Sequence, residues 1–254
     1  MVIGLERFLD YFVGFEESYV IIGGTACDLL LEKAGLEFRS TKDLDIVLLL
    51  GPDSREFTKR LWDFLTKGDY RHWNKRDARP QFYRFSEPST PGFPAMIELL
   101  GRSPLELPPG QTIGPIPTEE GFSSLSVILM DEAYYNLILS SRRIVGKAPV
   151  IEPSALILLK AKAYLSLSAE REKGQHVRST DILKHRNDVF RLFRLLRPAD
   201  RIDTNDALRS DLREFIEGFP KDASDWSAIR QAVSDPNLPT PSELLRQMRT
   251  IYQL

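Results

Sequence analysis

Two aspartates stand one residue apart at the start of an aliphatic segment, Asp43-Leu-Asp-Ile-Val-Leu-Leu49. In a β-strand alternate side chains share a face, so Asp43 and Asp45 point the same way while Leu44 points into the core. Two carboxylates that close repel each other unless a cation lies between them. Mg²⁺ prefers such oxygen ligands and shares them with substrate phosphates. The spacing therefore predicts a divalent-cation site that faces a triphosphate.

A glycine turn precedes the acidic pair along the chain. Ile21-Ile-Gly-Gly-Thr25 ends a short β-branched segment, and a helix is expected to begin at Thr25. Glycines let the backbone approach a ligand closely, and the free N–H groups of a helix start favour an anion. Gly23, Gly24 and Thr25 are thus predicted to bind phosphate, with the Thr25 hydroxyl as a further donor. Either motif alone is typical of an unliganded turn or a strand end, and their order along the chain favours the nucleotide site.

A third acid, Glu98, lies within the otherwise apolar segment Ala95–Leu100. An ionised carboxylate is costly in such a segment unless it forms an ion pair or binds a metal. If this strand neighbours the Asp43 strand, Glu98 completes a cluster of three carboxylates. It would then ligate metal or act as general base for an attacking hydroxyl. The alternative is a strand-end acid paired with a local arginine such as Arg84.

These motifs resemble a known group of enzymes. Gly-Gly-Thr at 23–25 followed by Asp-x-Asp at 43–45 resembles the nucleotidyltransferase superfamily of the polymerase-beta type. The fuller pattern, Ile22-Gly-Gly-Thr-Ala26 with Ser40-Thr-Lys-Asp-Leu-Asp45, is similar to the AbiEii/MenT-like toxins of type IV toxin–antitoxin systems. The matching positions span about residues 20–190.

The resemblance extends to positions on later helices. Members of the toxin family carry a lysine on a helix after a proline, and then a Lys-x-x-x-Asp helix; the similar positions here are Lys160 after Pro153, and Lys184 with Asp188. Lys160 interrupts an apolar stretch, so it could neutralise the β- or γ-phosphate of an NTP. Lys184 and Asp188 share a helix face, and the resemblance implies that they bind the nucleotide or that Asp188 orients Lys160. The alternatives are a lysine at the edge of the core for Lys160 and a surface ion pair for the other two.

The resemblance implies a reaction and its partners. An NTP would give up its NMP to an acceptor hydroxyl, with release of pyrophosphate and with two Mg²⁺ ions, or Mn²⁺, on Asp43, Asp45 and Glu98. The implied acceptor is an RNA such as a tRNA 3′ end, and the implied regulatory partner is a cognate antitoxin. Two alternatives stay open: nucleotidylation of a small molecule or protein, and a catalytically silent nucleotide-binding or interaction module on the same fold.

The elements that position these residues follow from hydrophobic periodicity. The expected helices and strands of the first part are a helix over 5–18, a strand over 19–22, a helix over 25–34, a strand over 43–50, a helix over 54–66, and strands over 81–85, 95–100, 125–130 and 149–151, with a loop over 101–122. Beyond Pro153 the pattern predicts helices over 154–168, 179–196, 206–217, 224–233 and 241–252. This pattern predicts strands and helices in the first half and helices alone in the second, and the resemblance implies an α+β fold with a nucleotidyltransferase-type mixed sheet and flanking helices, followed by a helical bundle. The expected domains are 1–150, nucleotidyltransferase-like, and 151–254, helical and completing the nucleotide cleft.

Composition narrows the class of protein. The 254 residues include 34 Lys and Arg against 36 Asp and Glu, three His and one Cys. One Cys excludes an internal disulfide and a Cys-rich metal site, and three scattered His disfavour zinc. The chain shows neither a signal peptide nor an apolar stretch of membrane-spanning length, so we expect a cytoplasmic protein without membrane partners. Basic residues concentrate at 71–84, 142–147 and 171–194, and would line an RNA groove if they converge on the aspartate face.

Overall fold

Strands and helices are mixed from the N-terminus to Ile151, and the described residues beyond Ile151 form helices joined by loops. The computed structural model describes residues 2–49, 54–72, 83–102, 113–115, 126–220 and 223–254. The chain divides into two units, Met1–Ile151 and Glu152–Leu254. The α+β class, with a mixed sheet, flanking helices and a following helical unit, is confirmed.

A mixed sheet organises the first unit. The strands in the described part of the chain are β1 (Tyr19–Ile21), β2 (Asp43–Leu48), β3 (Arg71–His72), β4 (Arg84–Ser86), β5 (Met96–Gly101), β6 (Ile113–Pro115), β7 (Ser126–Leu129), β8 (Arg142–Val145) and β9 (Ala148–Ile151). The first five follow the order β1-β2-β5-β4-β3, β7 pairs with β5 and β6, and β8 pairs with β9. Strand β5 runs parallel to β2 and β7, and the other pairs are antiparallel.

Strand β2 is an inner strand of this sheet, since β1 pairs with one of its edges and β5 with the other. At its start Asp43 and Asp45 are partly exposed while Leu44 is buried, and from Ile46 onward every side chain is buried. The strand thus starts at a polar boundary and continues into the core, which is how an aliphatic strand with an acidic start is expected to lie.

Aromatic side chains fill the core of the first unit beside β1. The helices of this unit are α1 (Leu5–Tyr11), α2 (Gly23–Lys33), α3 (Arg55–Gly68) and α4 (Glu132–Ser140). Phe8 of α1 makes edge contacts with Tyr19 of β1 and Phe64 of α3, at centroid distances of 5.4 and 5.3 Å. Because all three side chains are buried, this cluster fixes α1 and α3 against the edge of the sheet.

The second unit is helical, with α5 (Pro153–Glu172), α6 (Ser179–Phe193), α7 (Asp206–Glu217), α8 (Asp225–Val233) and α9 (Pro241–Tyr252). Local signals define several helix starts. Asn205 caps α7 by accepting the N–H of Leu208, and Thr240 caps α9 by accepting the N–H of Glu243. Phe190 packs against Trp226 at a centroid distance of 5.3 Å, which joins α6 to α8 in the core of this unit.

Several element boundaries differ from the sequence predictions. The helix expected over 5–18 ends at Tyr11, because Gly14 adopts a φ of +87°, which no helix allows. Helix α4 and strand β8 were not predicted, although Asp131 caps α4 through the N–H of Ala133. The loop expected over 101–122 contains β6; the rest of that loop, 103–112 and 116–122, and positions 81–82 of a predicted strand lie outside the described residues. Within the described part of the chain, every helix is too short or too polar to span a bilayer.

Candidate active site

Two hydrogen bonds tie the glycine turn to the acidic start of β2. Strand β1 runs antiparallel to β2, so the chain leaves β1 beside the first residues of β2. The N–H of Ile22 donates to the carbonyl oxygen of Asp45 at 3.0 Å. The Thr25 hydroxyl donates to the carbonyl oxygen of Asp43 at 2.7 Å. The first turn of α2 is therefore held in a fixed position against both aspartates.

Gly23 allows a contact that no other residue would allow. A Cβ at this position would lie 1.8 Å from Oδ2 of Asp45, and the φ of Gly23 is +67°. Gly24 is equally restricted, because its Cβ would lie 2.5 Å from Oγ1 of Thr41. The Asp45 carboxylate thus lies against the first residue of α2. The N–H groups and the dipole of a helix start favour negative charge there, and Ile22, the N-cap residue, provides no side-chain cap.

The Thr25 hydroxyl does not serve as a ligand donor in this arrangement. The side chain is fully buried, and its hydroxyl donates to the Asp43 carbonyl. Its role is to position the start of β2, and the backbone N–H is the group of Thr25 that remains for a phosphate.

The three predicted carboxylates lie on one face of the sheet. Asp43 and Asp45 alternate with the buried Leu44, and Asp45 is the register partner of Glu98 on the parallel strand β5. Directly paired residues on adjacent strands project from the same face. On the other side of β5, Arg84 of β4 is the register partner of Glu98. The face therefore presents an aspartate, a glutamate and an arginine in a row across three strands.

Arg84 neutralises Glu98. Its Nε donates to Oε1 of Glu98 at 2.6 Å, and its Nη2 donates to the same oxygen. Burial alone would lower the pKa of Arg84, but the charges of Glu98, Tyr83 and Asp45 raise it, and the net shift is upward. The ion pair between Glu98 and Arg84, which the sequence left open as an alternative to metal binding, is present in the structure. Oε1 of Glu98 is thus engaged by the guanidinium, and the role of Glu98 as general base stays a prediction.

Asp43 and Asp45 are the carboxylates on this face that are suited to hold a divalent cation. Within the described ranges no group of three or more His, Cys, Asp or Glu side chains is arranged to hold a metal ion. The predicted convergence of Asp43, Asp45 and Glu98 on one metal pair is thus not present, because Glu98 is bound to Arg84. Asp43 and Asp45 alone match the way Mg²⁺ binds in phosphoryl-transfer sites, through one or two carboxylates together with substrate phosphates.

In the second unit, Lys160 and Asp188 form a buried ion pair. Nζ of Lys160 lies 3.3 Å from Oδ2 of Asp188, and their side chains are 5% and 0% exposed. Nη1 of Arg191 lies 2.9 Å from Oδ1 of the same carboxylate, and its Nη2 donates to the carbonyl oxygen of Ala232 at 2.6 Å. Asp188 is therefore placed to orient Lys160, one of the two roles considered for it. Lys160 lies in the core of its unit and not at the edge.

Lys184 pairs with a different acid from the one predicted. Its Nζ lies 3.1 Å from Oδ1 of Asp181, one turn earlier on α6. Asp188, four residues later, is fully buried, whereas the Lys184 side chain is 37% exposed. The expected surface pair of Lys184 and Asp188 therefore does not form.

Most of the basic residues in the three clusters are bound to nearby acids. The ion pairs are Arg71–Glu87, Arg84–Glu98, Arg142–Glu17, Lys147–Asp10, Arg178–Asp181, Lys184–Asp181, Arg186–Asp225, Arg191–Asp188 and Arg194–Asp235. Lys75, Arg76 and Arg79 lie outside the described residues. Of these paired cations, Arg84 lies on the same sheet face as Asp45, as the register of β4 and β5 shows.

Thr41 and Arg191 make contacts that the sequence did not lead us to expect. Thr41 packs on Gly24, and nothing in its sequence context signals this contact. Arg191 could have been found, because it follows Asp188 by three residues on a helix, a spacing at which side chains meet.

No family model matches the chain, and no curated protein matches it. A solved structure that is similar is the crystal structure of an antigenic nucleotidyltransferase-like protein from Paracoccidioides brasiliensis. The similarity covers 91% of this chain and 90% of that chain, with 15% sequence identity and a TM-score of 0.44. At this level of similarity the function has to be inferred from the site itself.

Proposed function

We propose that the protein transfers a nucleoside monophosphate from an NTP to an acceptor hydroxyl and releases pyrophosphate. One observation carries the proposal: the Asp45 carboxylate lies against Gly23 at the start of α2, with Asp43 beside it on the same sheet face. A helix start provides N–H donors for phosphate oxygens, and two carboxylates provide ligands for a divalent cation. A site in which a carboxylate lies against the helix start therefore suits a metal-bound triphosphate.

Each group of the site has a specific role in this reaction. The backbone N–H groups of Gly23, Gly24 and Thr25 bind triphosphate oxygens, and Asp43 and Asp45 would hold Mg²⁺. When bound, Mg²⁺ neutralises phosphate charge and makes the α-phosphorus more electrophilic. The acceptor oxygen forms a bond to the α-phosphorus, the bond from that phosphorus to the bridging oxygen of the β-phosphate breaks, and the hydroxyl proton is released to water. The site residues fix the triphosphate for an in-line attack.

We extend the proposal to an RNA acceptor, such as a tRNA 3′ end, and to a toxin that a cognate antitoxin restrains. Support comes from the similarity of the Gly-Gly-Thr and Asp-x-Asp motifs, and of Lys160 and Asp188, to AbiEii/MenT-like toxins. In this proposal Lys160 provides positive charge for the phosphates and Asp188 orients it, which is in keeping with their ion pair. Lys184 keeps its proposed contact with the nucleotide, although its nearest acid is Asp181.

Labelled nucleotides test the reaction and the acceptor together. The protein is incubated with each α-³²P-labelled NTP, Mg²⁺ and either tRNA, a small-molecule extract or a protein extract. We expect label on tRNA with the wild type and none with Asp45→Asn. Asp10→Asn, which removes only an exposed ion pair with Lys147, should retain full activity.

Each other outcome has a defined meaning. Label on a protein or a small molecule would refute the RNA acceptor and leave the transferase standing. If wild type and Asp45→Asn give the same blank result, and no Mg²⁺–NTP raises the melting temperature, then the transferase proposal is wrong. A rise in melting temperature without any transfer would identify a silent nucleotide-binding module.

A further inference from the structure

The pair of Arg84 and Glu98 occupies a specific place beside the carboxylates of the site. Asp45, Glu98 and Arg84 are successive register partners across β2, β5 and β4. Adjacent strands lie about 4.8 Å apart, so the backbone of Arg84 is roughly 10 Å from that of Asp45. In agreement, the negative charge of Asp45 contributes to the raised pKa of Arg84.

The geometry of the ion pair determines which part of Arg84 can bind elsewhere. Nε and Nη2 both bind Oε1 of Glu98, which uses the side edge of the guanidinium. The end edge, formed by Nη1 and Nη2, is directed away from that contact, and the described residues provide no hydrogen-bond acceptor for Nη1. The Arg84 side chain is 42% exposed, whereas that of Glu98 is only 17% exposed. A planar guanidinium with an accessible edge is well suited to bind a phosphate group.

The same pair opposes a second divalent cation. Both hydrogen bonds from Arg84 fall on Oε1 of Glu98, so a metal ion bound at Oε2 would lie next to a group that stays charged at every physiological pH. The guanidinium would also repel a cation placed beside it. The positive charge beside Glu98 is therefore already provided by the guanidinium of Arg84.

We infer that Arg84 supplies the second positive charge of the site in place of a second metal ion, binding a triphosphate oxyanion, and that Glu98 is the residue that positions it. The inference rests on the proposed function, because it assigns Arg84 to the same triphosphate. It predicts one divalent cation per chain, held by Asp43 and Asp45. Glu98 acts through Arg84 and does not contact the metal.

Metal stoichiometry and triphosphate affinity test this inference without any turnover. Mn²⁺ binding to the full chain is measured by electron paramagnetic resonance, and inorganic triphosphate serves as a base-independent probe of the phosphate site. We expect one Mn²⁺ per chain in the wild type and in Glu98→Gln, with dissociation constants within about threefold of each other. Arg84→Met should weaken triphosphate binding by roughly tenfold or more, since it removes charge-assisted hydrogen bonds.

Two further variants separate positioning from charge. Arg84→Lys keeps the charge but loses the planar fork, so triphosphate binding should fall between that of wild type and that of Arg84→Met. Glu98→Gln should weaken triphosphate binding less than Arg84→Met does, because the arginine is then present but less constrained. The matched controls are Arg71→Met and Glu87→Gln, which break an exposed pair between β3 and the residue after β4 and should change neither measurement.

The possible outcomes distinguish this inference from the proposed function. Two Mn²⁺ in the wild type and one in Glu98→Gln would show that Glu98 is a metal ligand; that result overturns the inference and leaves the proposed function standing. Unchanged triphosphate affinity in a folded Arg84→Met or Arg84→Lys chain also overturns it. If the wild type binds neither Mn²⁺ nor triphosphate, then the proposed function fails and the inference fails with it. Circular dichroism identifies any variant that does not fold, and the remaining variants then decide.

Discussion

Replacing Gly23 by alanine should disable the site through a single methyl group. The added Cβ would lie 1.8 Å from Oδ2 of Asp45. Ordinary contact requires about 3.4 Å, so the carboxylate has to retreat by roughly 1.6 Å. A shift of that size moves the Asp45 carboxylate out of the position that it holds against the glycine turn, on the face that it shares with Asp43. Because Mg²⁺ needs near-ideal ligand geometry, the cation site should be lost.

The stability cost of Gly23→Ala has two sources. The φ of +67° forces an alanine into the left-handed region, at a cost of about 1–2 kcal/mol. Displacing a packed side chain adds about 1–3 kcal/mol. The free energy of unfolding should therefore fall by about 2–5 kcal/mol in total. This loss is a large part of the stability of a domain, so it is readily measured.

Gly35 provides a matched control, because it ends the same helix. Its φ is +72°, and a Cβ there would meet no atom within 4 Å. Gly35→Ala should therefore lose about 1–2 kcal/mol from backbone strain and keep Mn²⁺ binding unchanged. Urea unfolding gives the two free energies, and electron paramagnetic resonance gives the Mn²⁺ affinity. The difference between the variants isolates the contact with Asp45.

A double variant tests the cause directly. Adding Asp45→Ala to Gly23→Ala removes the side chain that the methyl group strikes, so part of the lost stability should return. Equal destabilisation and equal Mn²⁺ affinity in Gly23→Ala and Gly35→Ala would refute the reasoning, because the Asp45 carboxylate would then not lie against the turn.

Three other perturbations have defined outcomes. Thr25→Val should lower the free energy of unfolding by about 1–3 kcal/mol in urea titrations, because the carbonyl of Asp43 loses its hydroxyl donor. Asp188→Asn should cost about 3–5 kcal/mol, since it leaves buried cations without their carboxylate, whereas Asp181→Asn, in a half-buried pair, should cost only about 1 kcal/mol. Hydrogen bonds from the backbone N–H and side chain of Arg197 hold the pKa of Asp200 below its ordinary value of 3.8. The associated stability is present above that pH and is lost as the pH falls through the lower folded-state pKa; thermal unfolding of Asp200→Asn should not show this loss.

Helices with local start signals could be predicted closely from the sequence. The observed bounds of α7 and α9 match the expected ranges 206–217 and 241–252. For α9 the signal is explicit, since Thr240 caps the helix and Pro241 occupies its first position. The placement of Asp43 and Asp45 on one face was also predictable, because strand alternation is a local property.

Contacts that depend on which strands are neighbours were harder to predict from the sequence. Glu98 was correctly expected to need a partner, but whether that partner was a metal or Arg84 depended on which strand pairs with β5 and in which register. The hydroxyl of Thr25 was assigned to a phosphate because its spacing from the carbonyl of Asp43 is a property of the folded sheet. Lys184 likewise had two acids at helical spacing, and only the burial of Asp188 decides between them.

The single cysteine of the chain lies directly behind the glycine turn. Cys27 is fully buried, and its Sγ donates to the carbonyl oxygen of Gly23 at 3.0 Å. A thiol reagent can reach this sulfur only after the first turn of α2 has opened. The rate of thiol modification therefore reports how often the turn opens, at one atom and without any introduced label. A triphosphate bound to the turn should slow that reaction, so the modification rate of Cys27 in the native chain would report whether the phosphate site is occupied.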